Sequence, residues 1–99
     1  MTVQLNLTVN DAQIQTDYFV EGFIDHTVSG MIESLEGTGP IKDLKLTMDG
    51  DDVEINLNGA PVPVNAFVVK IFKSTLLGMV AVLKGVTTPV KKLNLTIHK

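Results

Sequence analysis

The chain has 99 residues, 44% hydrophobic and 19% charged, a balance that fits one globular domain with its own core and excludes a disordered segment. It holds no cysteine, which removes disulfides, thiolate metal sites and cysteine nucleophiles. A net charge of −3 argues against nucleic acid as a partner.

The charge is unevenly spread. Residues 1–50 carry eight acids (Asp11, Asp17, Glu21, Asp25, Glu33, Glu36, Asp43, Asp49) against Lys42 and Lys45, a net −6. Residues 51–99 carry Asp51, Asp52 and Glu54 against six lysines, a net +3.

At the amino end Val3, Leu5, Leu7 and Val9 alternate with Gln4, Asn6 and Thr8, which reads as a half-buried strand rather than a signal peptide. From Thr16, a suitable N-cap, the period changes. Val20, Ile24, Val28, Met31 and Leu35 follow helical spacing as far as Gly37, ahead of Thr38-Gly39-Pro40. Leu44, Leu46 and Met48 alternate again, Asp49 to Asp52 form a turn, and Val53, Ile55 and Leu57 make a third strand. Asn58-Gly59 and Pro61-Val62-Pro63 end that strand. Asn65 caps a strongly apolar helix that Gly85 closes, and Leu93, Leu95 and Ile97 form the last strand. A membrane span needs ~20 apolar residues. The run Ile71 to Leu83 is shorter and contains Lys73, so the expectation is a soluble, cytoplasmic chain with no membrane partner.

The two halves match. Val3 to Leu7 aligns with Val53 to Leu57 at an offset of fifty, Thr16 meets Asn65, and Gly39 to Thr47 meets Thr88 to Thr96. Two βαβ repeat units, 1–50 and 51–99 of a single domain, resemble the ferredoxin-like split βαβ arrangement: an α+β fold, β-α-β-β-α-β, internally duplicated. That likeness implies a four-stranded antiparallel sheet in the order 4-1-3-2 with both helices on one face.

Projected at 100° per residue, the second helix has a core stripe of Val68, Val69, Phe72, Leu76, Met79, Val80 and Leu83. One flank carries Phe67, Ile71, Thr75, Gly78 and Val82; the other carries Lys70, Lys73 and Lys84 with Leu77. The first helix has a matching flank of Phe19, Phe23, Thr27 and Gly30, and an acidic flank with Asp25, Glu33 and Glu36. Two related halves would turn the apolar flanks toward each other, with Gly30 and Gly78 allowing close approach. The charged strips would lie on opposite outer edges, too far apart to pair, and Leu77 would lack cover.

Constellations that carry chemistry are scarce. The open sheet face would present Asn6, Glu54, Asn56, Asn58 and His98 among other polar side chains, without the aromatics that RNA stacking requires. Asp49, Asp51, Asp52 and Glu54 lack calcium-loop spacing, and His26 and His98 form no metal cluster, so no metal, cofactor or catalytic residue is assigned. The leading reading is a non-enzymatic interaction or assembly module. It self-associates, as a homodimer for example, or docks a protein partner through the charged helix edges or the polar sheet face. A small-ligand-binding regulatory domain is the alternative, since the element order resembles amino-acid-sensing βαββαβ domains, although Asn10 to Gln15 holds no glycine-rich ligand turn. A small enzyme using Glu54 or His98 as acid or base is the third.

Overall fold

A computed structural model describes residues 4–35, 40–86 and 88–99. The elements are β1 (Gln4–Val9), β2 (Ala12–Ile14), α1 (Tyr18–Glu33), β3 (Asp43–Asp49), β4 (Asp52–Leu57), β5 (Ala60–Pro61), α2 (Ala66–Val80) and β6 (Lys92–His98). The six strands form one sheet in the order β2-β1-β6-β3-β4-β5, with every neighbouring pair antiparallel.

This corrects the ferredoxin-like expectation of four strands ordered 4-1-3-2. Two short strands were not anticipated, and they explain the different order. Asn10 and Asp11 have φ of 50° and 66°, and Asn58 and Gly59 have φ of 52° and 84°; both pairs occupy the left-handed region that tight hairpin turns require. The chain therefore reverses after β1 and after β4. β2 then occupies one edge of β1, and β5 one edge of β4. Those are the edges through which β1 and β4 would meet at the centre of a 4-1-3-2 sheet. With both taken, β6 and β3 form the centre instead, pairing from Asp43 with His98 to Asp49 with Lys92. Neither half is the βαβ unit expected; each runs strand, short strand, helix, strand. Pro61 is compatible with β5 because an edge strand has no ladder bond to lose on its outer side.

One sheet face is apolar. Leu7, Leu46, Leu95 and Ile97 are buried there against Ile24, Val28 and Ile32 of α1 and Phe72, Leu76 and Val80 of α2. The extents of 35 × 34 × 18 Å describe a broad slab. Asp17, not Thr16, caps α1: its carboxylate accepts from the Val20 amide at 2.8 Å. Asn65 caps α2 as expected, accepting from the Val68 amide at 2.8 Å. α2 ends at Val80 rather than Gly85.

The helices run in opposite senses over the sheet. α1 leaves the β2 edge and returns to β3, whereas α2 leaves the β5 edge and returns to β6. The start of α2, at Ala66 and Val69, lies beside Asp51 and Val53, and the turn after it, Val82 to Gly85, lies beside Gln13 to Asp17 at the other edge. α2 and the turn that follows it thus cross the strands from one side of the sheet to the other.

Candidate functional site

The outer surface of the helical layer is the unusual feature of this molecule. Phe19 and Phe67 are 70% and 67% exposed, and Phe23 and Ile71 are 52% and 43% exposed. With His26, Gly30 and Glu33 on α1, and Ser74 and Gly78 on α2, they make two stripes at helical spacing opposite the buried Ile24 and Phe72. The two phenylalanines of α1 touch, with ring centroids 6.2 Å apart. Val82, just beyond α2, extends the second stripe and is 83% exposed.

Phe19, Phe23 and Gly30, with Phe67, Ile71, Gly78 and Val82, belong to the apolar flanks that were expected to cover each other. They point to solvent instead. Thr27 and Thr75 of the same flanks are half-buried, and Glu33, expected on the acidic edge, joins the α1 stripe. A Cβ added at Gly30 or Gly78 would meet nothing within 4 Å, so neither glycine serves a close helix contact. The physical reason lies below. The helices cross the strands rather than lie along them, so their spacing is set along strands of six or seven residues, about 20 Å at ~3.3 Å per residue. That length leaves room for them to lie side by side with the stripes outward.

The charged strips also differ from expectation. Asp25 is buried, not on an outer edge: it accepts from Ser29 Oγ at 3.1 Å and pairs with Lys99 Nζ at 3.2 Å. Lys99 Nζ donates to Ser29 Oγ at 3.2 Å, which closes a small network between α1 and the end of the chain. Lys73 pairs with Asp51 in the β3–β4 turn. Leu77, expected to lack cover, is partly buried against the core. Glu33, Lys70 and Lys84 are exposed, and Glu36 lies outside the described residues.

The Lys73 ammonium lowers the Asp51 carboxyl pKa below its ordinary 3.8, through its hydrogen bond first and its charge second. A carboxylate whose folded value is depressed adds stability above its unfolded value, and that contribution fades as pH falls through the folded value. Replacing Lys73 with Met is expected to return the Asp51 midpoint toward 3.8 in an NMR carboxyl titration. A midpoint unmoved by the substitution would show that the pair does not persist in solution.

The opposite sheet face is polar and uncovered. Its rows follow the register: Thr8, Asn94, Thr47 and Glu54 in one, Asn6, Thr96, Lys45 and Asn56 in the next, and Gln4, His98 and Asp43 in a third. Asn56, Lys45, Thr96 and His98 border a shallow concavity of about 310 Å³. His98 Nδ1 is engaged by Asp43, and Asn6 Oδ1 accepts from Gln13 Nε2 at 3.5 Å. Glu54 and His98 stand two strands and four residues of register apart, roughly 16 Å at ~4.8 Å per strand and ~3.3 Å per residue, so the sheet does not bring them together. Asn58, placed on this face by the alternation, instead clamps the backbone that leads into β3. Its Oδ1 accepts from the Lys42 and Asp43 amides, both at 2.9 Å, and its Nδ2 donates to the Pro40 carbonyl at 2.8 Å.

Among the described residues no three His, Asp or Glu side chains gather where they could hold a metal ion, and no helix is long and apolar enough to cross a membrane. No protein-family model matches the chain, and no curated protein or solved structure matches it either.

Proposed function

We propose that this protein is a non-enzymatic interaction module and that its docking surface is the outer face of the helical layer. One observation carries the reading: Phe19, Phe23, Phe67, Ile71 and Val82 stand exposed on that face. At ~200 Å² per aromatic side chain, the three phenylalanines alone present roughly 400 Å². Phe19 and Phe23 adjoin each other, and exposed apolar area of a few hundred Å² on one face is of the size that is often functional. The polar sheet face lacks such anchors, and interface hot spots are commonly aromatic.

A photo-crosslinking benzophenone residue placed at Phe67, and separately at Glu54 on the sheet face, tests the reading in cells that make the protein. Protein adducts are expected from position 67 and not from position 54. Adducts from position 54 alone, or from neither, would contradict it.

A further inference from the structure

We infer that the partner on this face is a second copy of the chain, paired about a two-fold axis so that α1 of each copy lies antiparallel on α2 of the other. This rests on the helical face being the docking surface. Three features select the partner and the pairing.

The first is shape. α1 carries Phe19 and Phe23 toward its start and Gly30 toward its end; α2 carries Phe67 and Ile71 toward its start and Gly78 toward its end. An antiparallel stack sets each bulky pair over the partner's glycine. The space is there, because the region above either glycine is empty. Since α1 and α2 of one copy run in opposite senses, a two-fold axis parallel to them brings both such stacks together at once and closes the pair.

The second is charge. α1 contains no lysine or arginine and exposes Glu33; α2 contains no acid and exposes Lys70. Stacking α1 on α1 would set acid against acid, and α2 on α2 would set lysine against lysine. Only α1 on α2 brings opposite signs together, with Glu33 near the end of one helix facing Lys70 near the start of the other. Like-charge juxtaposition is what excludes wrong registers at interfaces. The same acidic helix, and the net charge of −3, disfavour an anionic membrane surface as the occupant.

The third is size. A stable pair buries about 800 Å² on each partner. A face of 35 × 34 Å supplies that area, with the aromatic stripes across it.

Sedimentation velocity on the intact chain, from low micromolar to millimolar concentration, reads the result. The mass is expected to move from 10.7 kDa to twice that value. Gly78→Leu fills the space reserved for the partner's aromatics, so it should remain monomeric while its melting temperature stays level or rises, because the added side chain meets nothing in the monomer. Glu33→Lys and Lys70→Glu should each weaken pairing roughly tenfold at low salt, and the double exchange should restore it.

A monomer at every concentration overturns the inference, as does pairing indifferent to Gly78→Leu or strengthened by Glu33→Lys alone. Phe67-dependent sedimentation with phosphatidylcholine or phosphatidylserine vesicles would overturn it in favour of a lipid surface. The crosslinker at position 67 separates the docking face from the identity of its partner. Adducts to a different protein sink self-pairing and leave the docking face standing, whereas no adduct sinks both.

Discussion

Phe72→Ala is expected to cost about 3–5 kcal/mol, while Phe67→Ala, five residues earlier on the same helix, changes stability by no more than about 0.5 kcal/mol. The substitution is chemically identical, and the environments are opposite. Phe72 is 3% exposed, packed in the core, and its removal leaves a cavity that neighbouring side chains cannot fully fill. Phe67 is 67% exposed, so its truncation removes little buried surface, and alanine is the better helix former. For a domain of this size 1 kcal/mol corresponds to ~4–8 °C in melting temperature. Phe72→Ala should therefore melt some tens of degrees lower and Phe67→Ala close to the parent, compared in dilute solution where pairing contributes nothing. Equal losses at both positions would mean that the outer stripe is folded inward, and the docking surface would not exist.

Asn58→Ala is expected to cost about 3 kcal/mol, an unusually large loss for an exposed polar residue. Its side chain makes three hydrogen bonds that hold the segment entering β3, to the Lys42 and Asp43 amides and the Pro40 carbonyl. Each is worth about 0.5–1.5 kcal/mol, at the lower end where water can substitute. Its φ of 52° adds about 1–2 kcal/mol for alanine, which tolerates the left-handed region less well than asparagine. Asn58→Gly relieves the backbone part and keeps the hydrogen-bond loss, so it should fall between parent and alanine. Asn10, with φ of 50°, repeats the arrangement ahead of β6: it accepts from the Lys91 and Lys92 amides at 2.7 and 3.0 Å and donates to the Pro89 carbonyl at 3.1 Å. Urea midpoints at constant slope measure these losses. A loss below about 0.5 kcal/mol for Asn58→Ala would show that the clamp does not hold the strand.

The long strands were readable because alternation over five or more residues has one structural solution on a half-buried sheet. Leu5, Leu7 and Val9, or Leu93, Leu95 and Ile97, are all buried as their period requires. The core stripes of both helices were readable for the same reason. β2 and β5 were not, because three and two residues cannot display a period, and Pro61 argued against a strand. Asn58-Gly59 nevertheless carries a recognised hairpin signature. Read as a hairpin rather than a stop, it would have exposed the extra edge strand and undermined the 4-1-3-2 order. The fate of the Phe19 and Phe67 stripes was beyond periodicity altogether. A 100° projection ranks positions around a helix, but whether a flank meets a neighbouring helix or solvent depends on helix spacing, which the sheet beneath sets. The burial of Asp25 had the same origin, since Lys99 is distant in sequence and becomes a partner only through the placement of β6 beside β3.

Paramagnetic solvent relaxation of the phenylalanine ring protons, recorded in dilute and in concentrated solution, tests the outward helical face most directly. The expected result is strong relaxation at Phe19 and Phe67 and almost none at Phe72 when dilute, with Phe19 and Phe67 becoming protected as concentration rises. Phe19 and Phe67 as protected as Phe72 in dilute solution would contradict the outward face.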